Sequence, residues 1–462
     1  MVALYIGSSA FVRPLTPVIV LAAPGRLPEV SASIRSRDLT RVLSFGPLKG
    51  VRPWAAAALS AARQIPSFNM HAAVLDATTI TQLAQDPNVA AIYGDPLVRI
   101  SQFPAVPPAG TWGVRVAGSS ASQPTADLCF TSTAWTRKLL GADAANAAGF
   151  SGQGTKACVV DTGGHAHPQT RRAAFLTAIP GGQVDIVSHG QWCLSALGGT
   201  PYRDAAFSNE VGAEVVCEGM APMCGLLAVK ALDFVIGTAP SSILLAALEI
   251  ALGQDPDVVS LSWGSPVAGA SPQADPFYPA MEALDAAGVL VFAAAGNAGP
   301  GSGTLDSPGA LPQPVTVGAT NVVSNGFNNM FGTAGTVANF SSRGPTPWGD
   351  TKPDCVGPGA IIDSGVSPFS QMAVSYTQRP HAAQAIAGTS MATPQIAGLF
   401  VLARQAWKQL LGKVLTNTEV KAMLAAYGQP KNSTSGWGFP TWQGTIVPWL
   451  STQYGVTLPG GT

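Results

Sequence analysis

Apolar positions along this chain follow two rhythms, and the change between them divides it. From residue 16 to residue 100, short alternating runs are mixed with helical ones. Residues 16–23, 68–75 and 89–93 read as strands, and residues 53–64 and 78–85 carry helical spacing. That βαββ-type order with a closing strand predicts a small α+β (ferredoxin-like) unit. From about residue 130 the strand-like runs are apolar on both faces, at 156–160, 226–229, 258–262 and 289–294. Helical segments lie between them, including 242–252 and 279–287. Strands buried on both faces and alternating with helices predict an α/β domain on a doubly wound parallel sheet. Active sites in such sheets lie at the carboxyl ends of the strands. Residues 102–129 hold Pro104, Pro107, Pro108, Gly110, Gly118 and Pro124 with little periodicity, and read as a linker or extension. The expected domains are therefore 1–101, 102–129 and 130–462.

Composition narrows the function classes. Of 462 residues, 47% are hydrophobic and only 11% charged, well under the roughly 25% charged residues usual in soluble domains. The net charge is zero, so nothing points to nucleic acid or to an anionic membrane surface. The longest apolar stretches, 243–252 and 287–295, are about half of the ~20 residues a membrane span needs, and predict buried core elements. The N-terminal run makes a poor signal peptide: no basic residue precedes it, and Arg13 and Pro14 interrupt it. Six cysteines (Cys129, Cys158, Cys193, Cys217, Cys224, Cys355) show no metal-type spacing. Cys217 and Cys224 bracket a turn and allow either a local disulfide or two buried thiols.

The sharpest chemical feature is Gly388-Thr389-Ser390-Met391-Ala392-Thr393-Pro394. A serine just ahead of a small-residue helix sits at its positive end, where backbone N–H groups can stabilise an oxyanion. A serine nucleophile needs a base, and the base an orienting carboxylate. Asp161, in Val159-Val160-Asp161-Thr162-Gly163, ends a buried strand at a Gly-rich turn. An isolated Asp-Thr-Gly also suggests an aspartic-protease dyad with Asp363-Ser364-Gly365. That pairing lacks a matching buried strand and leaves the serine motif unexplained. Of five histidines, His71 lies in the N-terminal zone, His165 and His167 read as a solvated loop, and His381 has no recognisable partner. His189 remains, opening a helix of buried residues with Gly190. Ala293-Ala294-Ala295-Gly296-Asn297 follows another buried strand and offers Asn297 as an oxyanion donor.

These segments resemble the subtilisin-like serine proteases. The order Asp161, His189, Ser390 matches that family and not the chymotrypsin or α/β-hydrolase orders. The resemblance implies an Asp-His-Ser triad, an asparagine oxyanion hole and hydrolysis of peptide bonds through an acyl-enzyme. It departs from the family at His189-Gly190-Gln191-Trp192-Cys193-Leu194-Ser195, where the family reads His-Gly-Thr-His-Val-Ala-Gly. A glutamate-based sedolisin is disfavoured by the His-Gly pair. The walls of the peptide cleft are expected at Ser262-Trp263-Gly264, by strand addition, and at Ala294-Ala295-Gly296. These small residues predict room for a large apolar side chain at P1, the residue whose carbonyl is attacked. Further similarity lies at Gly219-Met220-Ala221-Pro222, at 338–345, at Lys352-Pro353-Asp354 and at Gly436-Trp437-Gly438. Leu83-Ala84-Gln85-Asp86-Pro87-Asn88-Val89 resembles the family's inhibitory propeptide, which implies a prodomain that inhibits its own protease and is cut off between 101 and 130. The implied partners are protein or peptide substrates, with no nucleic acid and no membrane span, and a secreted location is expected. No cofactor is implied for the chemistry. Structural calcium is a family trait for which no ligand set can be matched here. The rival reading is a catalytically silent scaffold of the same fold, serving as a binding or structural protein.

Overall fold

The structure, a computed structural model, describes residues 15–35, 63–100, 116–117 and most of 130–458, leaving out short stretches of which 367–382 is the longest. Its N-terminal unit runs β1 (Leu15–Ala22), α1 (Leu27–Arg35), β2 (Arg63–Ile65), β3 (Met70–Asp76), α2 (Ala77–Leu83) and β4 (Val89–Gly94). The four strands form an antiparallel sheet in the order β2-β3-β1-β4, the expected ferredoxin-like arrangement. Val20, Val30, Ile34, Leu75 and Leu83 fill the space between this sheet and its helices. Helix α1 is an addition to the sequence reading, while the helix expected over 53–64 falls largely outside the described residues. Its last two positions, Arg63 and Gln64, belong to β2.

The unit's exit strand, β5 (Leu97–Ile100), leads into the larger domain. There the elements in chain order are β6 (Lys156–Asp161), β7 (Ala174–Thr177), α3 (His189–Gly198), β8 (Gly225–Lys230), β9 (Thr238–Pro240) and α4 (Ser241–Leu252). They continue with β10 (Val258–Leu261), β11 (Trp263–Pro266), α5 (Tyr278–Ala286), β12 (Leu290–Ala294) and β13 (Asp306–Ser307). The series ends with β14 (Val315–Thr320), β15 (Cys355–Pro358) and α6 (Thr389–Ala406). Seven of these strands form one sheet in the order β15-β14-β12-β10-β6-β8-β7, with every pairing parallel. Every residue of β10 and β12 is buried, as strands with helices on both faces require.

Helix α6 crosses the middle of the molecule, and all 18 of its residues are buried. Most of its side chains are apolar or small, as a helix enclosed by protein requires, and its buried Gln395, Arg404 and Gln405 are hydrogen-bonded. Leu399, Phe400 and Leu402 anchor it against β12, β14 and α3, each such side chain contributing roughly 1.5–3 kcal/mol by leaving water. No helix among the described residues is long and apolar enough to cross a membrane. Cys217 and Cys224 are buried free thiols, as are Cys158, Cys193 and Cys355, so the local disulfide does not form. Cys129 lies outside the described residues.

Candidate active site

Three carboxyl-end loops and two helix starts meet above the central strands. Asp161 closes β6, and its Oδ1 lies 2.7 Å from His189 Nδ1, with both side chains fully buried. The same oxygen accepts the Thr162 N–H at 2.6 Å, which holds the carboxylate against its own turn. His189 opens α3, and Gly190 follows for a steric reason. A Cβ on Gly190 would lie 2.4 Å from Gly163 O and 3.1 Å from Asp161 Cβ, so only glycine lets the helix reach the aspartate turn. The Gly190 N–H then donates to Thr162 Oγ1 at 2.8 Å, tying the two motifs together. Ser188, which precedes the helix, is held left-handed at φ 64° while its N–H donates to Asp185. Burial raises the pKa of the Asp185 carboxyl.

Burial works against a charged His189 ring, but the adjoining Asp161 carboxylate prevails and raises its pKa well above 6.5. A buried imidazole against a buried carboxylate has a fixed orientation and a stabilised cation, the properties a general base needs.

Ser390 is the second residue of α6, and its Oγ donates to Ser262 O at 2.9 Å. The Thr-Pro that ends its motif also has a structural role. Pro394 has no N–H, so the Ser390 carbonyl loses its ordinary partner within the helix. That carbonyl instead accepts Ser262 Oγ–H at 3.0 Å and Cys193 S–H at 3.6 Å. The Ser390 turn is thereby bonded to the end of β10 and to the His189 helix. Cys193, one helical turn after His189, also places its sulfur 4.0 Å from His189 Nδ1. The sequence reading gave it no role, although the four-residue spacing in a helix was the available signal. Burial pushes its thiol pKa up, so it stays protonated. Asp161, His189 and Cys193 are also the described residues whose donor atoms lie close enough, within 4.8 Å, to share a metal ion. Such an ion would displace the Asp161–His189 hydrogen bond.

Asn297 follows β12. Its Oδ1 accepts from Thr389 N and from Thr389 Oγ1, both at 2.9 Å. Using the oxygen in this way turns the amide nitrogen towards Gly388, where an added Cβ would sit 3.2 Å from Nδ2. The amide nitrogen therefore faces the turn that carries Ser390. Asp161 and His189 thus meet directly, Asn297 bonds Thr389 beside Ser390, and Cys193 links the His189 helix to the Ser390 carbonyl.

Of the remaining histidines, His165 is half-buried and His167 is buried, so the expected solvated loop does not hold for His167. His71 bonds Ser31 inside the N-terminal unit at 2.9 Å, and His167 accepts from Gln169 N at 3.2 Å. His381 and its surroundings lie outside the described residues. Asp363 belongs to a strand, Ile362–Gly365, in a separate small sheet.

The Subtilase family matches residues 152–438 of this chain. The chain belongs to the subtilase family. Among its curated relatives, the serine protease AprX of Bacillus subtilis (strain 168) is 32% identical over 307 residues, covering 62% of this chain and 63% of AprX. M-protease of Shouchella clausii (strain KSM-K16) is 31% identical over 276 residues, covering 59% of this chain and 60% of the relative. Subtilisin Savinase of Lederbergia lenta is also 31% identical over 276 residues, with 85% of its length matched. The chain thus spans less than two thirds of AprX and of M-protease.

The expected cleft walls of this subtilase carry a strand already. Strand β5 pairs antiparallel with β11, Ile100 opposite Trp263 and Arg99 opposite Gly264. On its other side it pairs with β9, Arg99 opposite Thr238 and Val98 opposite Ala239. The Ile100 N–H also donates to Gly237 O at 2.9 Å. Val98 and Ile100 point inward and are buried, whereas Leu97 and Arg99 are exposed. Trp263 takes part through its backbone only, since its side chain is buried and its Nε1–H donates to Val160 O at 2.8 Å. Ala294 and Ala295 are buried behind Gly296.

Proposed function

We propose that this subtilase is a serine endopeptidase in which Ser390 is the nucleophile, His189 the general base, Asp161 its orienting carboxylate and Asn297 an oxyanion donor. The buried 2.7 Å Asp161–His189 contact, beside the helix that begins at Ser390, carries this reading. Ser390 Oγ attacks the peptide carbonyl carbon while its proton passes to His189 Nε2. Asp161 stabilises the imidazolium, and the Asn297 amide hydrogen-bonds the carbonyl oxygen as it becomes an oxyanion. Collapse expels the amine, which takes the proton from His189. Water, deprotonated by the same histidine, then releases the acyl group and restores Ser390.

The second half of the proposal is a self-inhibiting zymogen with residues 1–101 as prodomain, 102–129 as the segment to be removed or carried along, and 130–462 as protease. Strand β5 lies between β9 and β11 as an extended substrate would. The N-terminal unit is also fixed to the protease surface. Asp95 caps helix α4, accepting Ser242 N at 2.8 Å and Ser242 Oγ at 2.6 Å. Ser67 N donates to Glu249 at 2.9 Å, and Ile65, Phe68 and Met70 join the apolar cluster that contains Leu245, Leu248 and Ala280. Secretion fits a protease made with its inhibitor attached.

Fluorophosphonate labelling tests the chemistry. The wild-type chain should be labelled at Ser390, and Ser390→Ala should not be labelled. An unlabelled wild-type protein supports the scaffold reading instead.

A further inference from the structure

The floor of the expected P1 pocket is a carboxylate. Asp306 begins β13, which pairs with β11, and its N–H donates to Ala295 O at 2.9 Å. Its side chain lies between the two glycine walls. A Cβ on Gly264 would fall 2.6 Å from Asp306 Cβ, and one on Gly296 would fall 2.6 Å from Asp306 Oδ2. The Asp306 side chain therefore packs into the space that side chains at Gly264 and Gly296 would fill. Among the described residues, no hydrogen bond or ion pair reaches this carboxylate. Burial pushes its pKa up to about 6, opposed by the Arg99 guanidinium, the charged group that faces it from β5.

We propose that Asp306 determines the substrate class of this cleft, selecting polypeptides with lysine or arginine at P1, whose cation pairs with the Asp306 carboxylate between Gly264 and Gly296. The inference rests on the protease reading above and revises the large apolar P1 that the small walls alone suggest. A leucine or phenylalanine entering the pocket would strip water from the carboxylate and offer it no partner in return. A lysine or arginine buries its methylene stem on the same small-residue walls and supplies the missing partner. Arg99 shows that a cation is accommodated on this side of the cleft, and loss of β5 would remove that charge.

The test uses the full chain after self-processing and two peptidyl phosphonates that differ only at P1, lysine in one and norleucine in the other. Rates of Ser390 modification are read by mass spectrometry beside a fluorophosphonate control. The lysine reagent should react about 30-fold faster or more, the scale of a desolvated charge pair. Asp306→Asn should bring the two rates within a few-fold, and Asp306→Glu should restore most of the preference, with fluorophosphonate labelling reporting that each variant is folded. Equal rates in the wild type, faster reaction with norleucine, or reaction with neither in a chain that takes fluorophosphonate would overturn the proposal. A chain that takes no fluorophosphonate overturns the protease reading itself and the proposal with it.

Discussion

At the scale of single residues, hydrogen bonds hold each member of the proposed site, and several make separate predictions. Asp161 holds His189, so Asp161→Asn should lower kcat by about 10⁴ while leaving the fold intact. The pH profile carries the sign of the same interaction. The base acts when neutral, and its pKa in the folded protein is raised, so kcat/KM should fall as pH drops through that raised value. The acid limb of the wild-type profile is therefore expected above 6.5, and in Asp161→Asn it should move down. A wild-type limb at or below 6.5 would contradict the assignment. Asn297→Ala should cost roughly 10²–10³ in kcat with little change in KM. Steady-state kinetics on an unstrained peptide separates the two. Ser390, Asp161 and Asn297 were legible in the sequence because each needs a particular backbone turn, which leaves a local motif. Asp306 was not. Its surroundings depend on Gly264 in β11 and Gly296 in the loop after β12, and a Ser-Pro turn after an aspartate has no distinguishing local pattern.

At the scale of elements, the contacts between motifs explain residues that carry no chemistry. Gly190→Ala should push α3 away from the Asp161 turn, because the new Cβ meets Gly163 O. A lowered melting temperature together with weak fluorophosphonate labelling is expected; a variant as active as wild type would show that the turn is not a close-packed contact. Lys352 and Asp354 form a second such element, with Nζ to Oδ2 at 2.6 Å, both buried, and Lys431 on the other oxygen at 2.9 Å. These ammonium groups hold the Asp354 carboxyl far below the usual range despite its burial. Asp354→Asn should destabilise the domain by about 3–5 kcal/mol in denaturant unfolding, since it leaves Lys352 charged and unpaired in the interior. The parallel strands were readable from their two-sided apolar runs. Helix α1 was not: Leu27, Val30 and Ile34 do make an inward stripe, but Ser31, Ser33 and Arg35 dilute it below what a short segment needs to stand out.

At the scale of the whole molecule, the N-terminal unit and the larger domain share a sheet, an apolar cluster and a helix cap. Asp95→Ala should loosen this attachment by about 1 kcal/mol, the usual value of such a cap. In a chain already cut, that change should shorten the time the prodomain takes to dissociate. The sequence pattern predicts a separate N-terminal zone but not how it joins the rest, because β5 is only four residues long and its pairing partners, β9 and β11, lie far along the chain. Ser390 is expected to cut its own chain beyond that strand, and N-terminal sequencing of the purified wild type beside Ser390→Ala tests this directly. The wild-type protease should begin after Ile100, between residues 101 and 130, while Ser390→Ala should retain the prodomain as one uncut chain. A wild-type chain that stays uncut, or a Ser390→Ala chain cut at the same place, would contradict it.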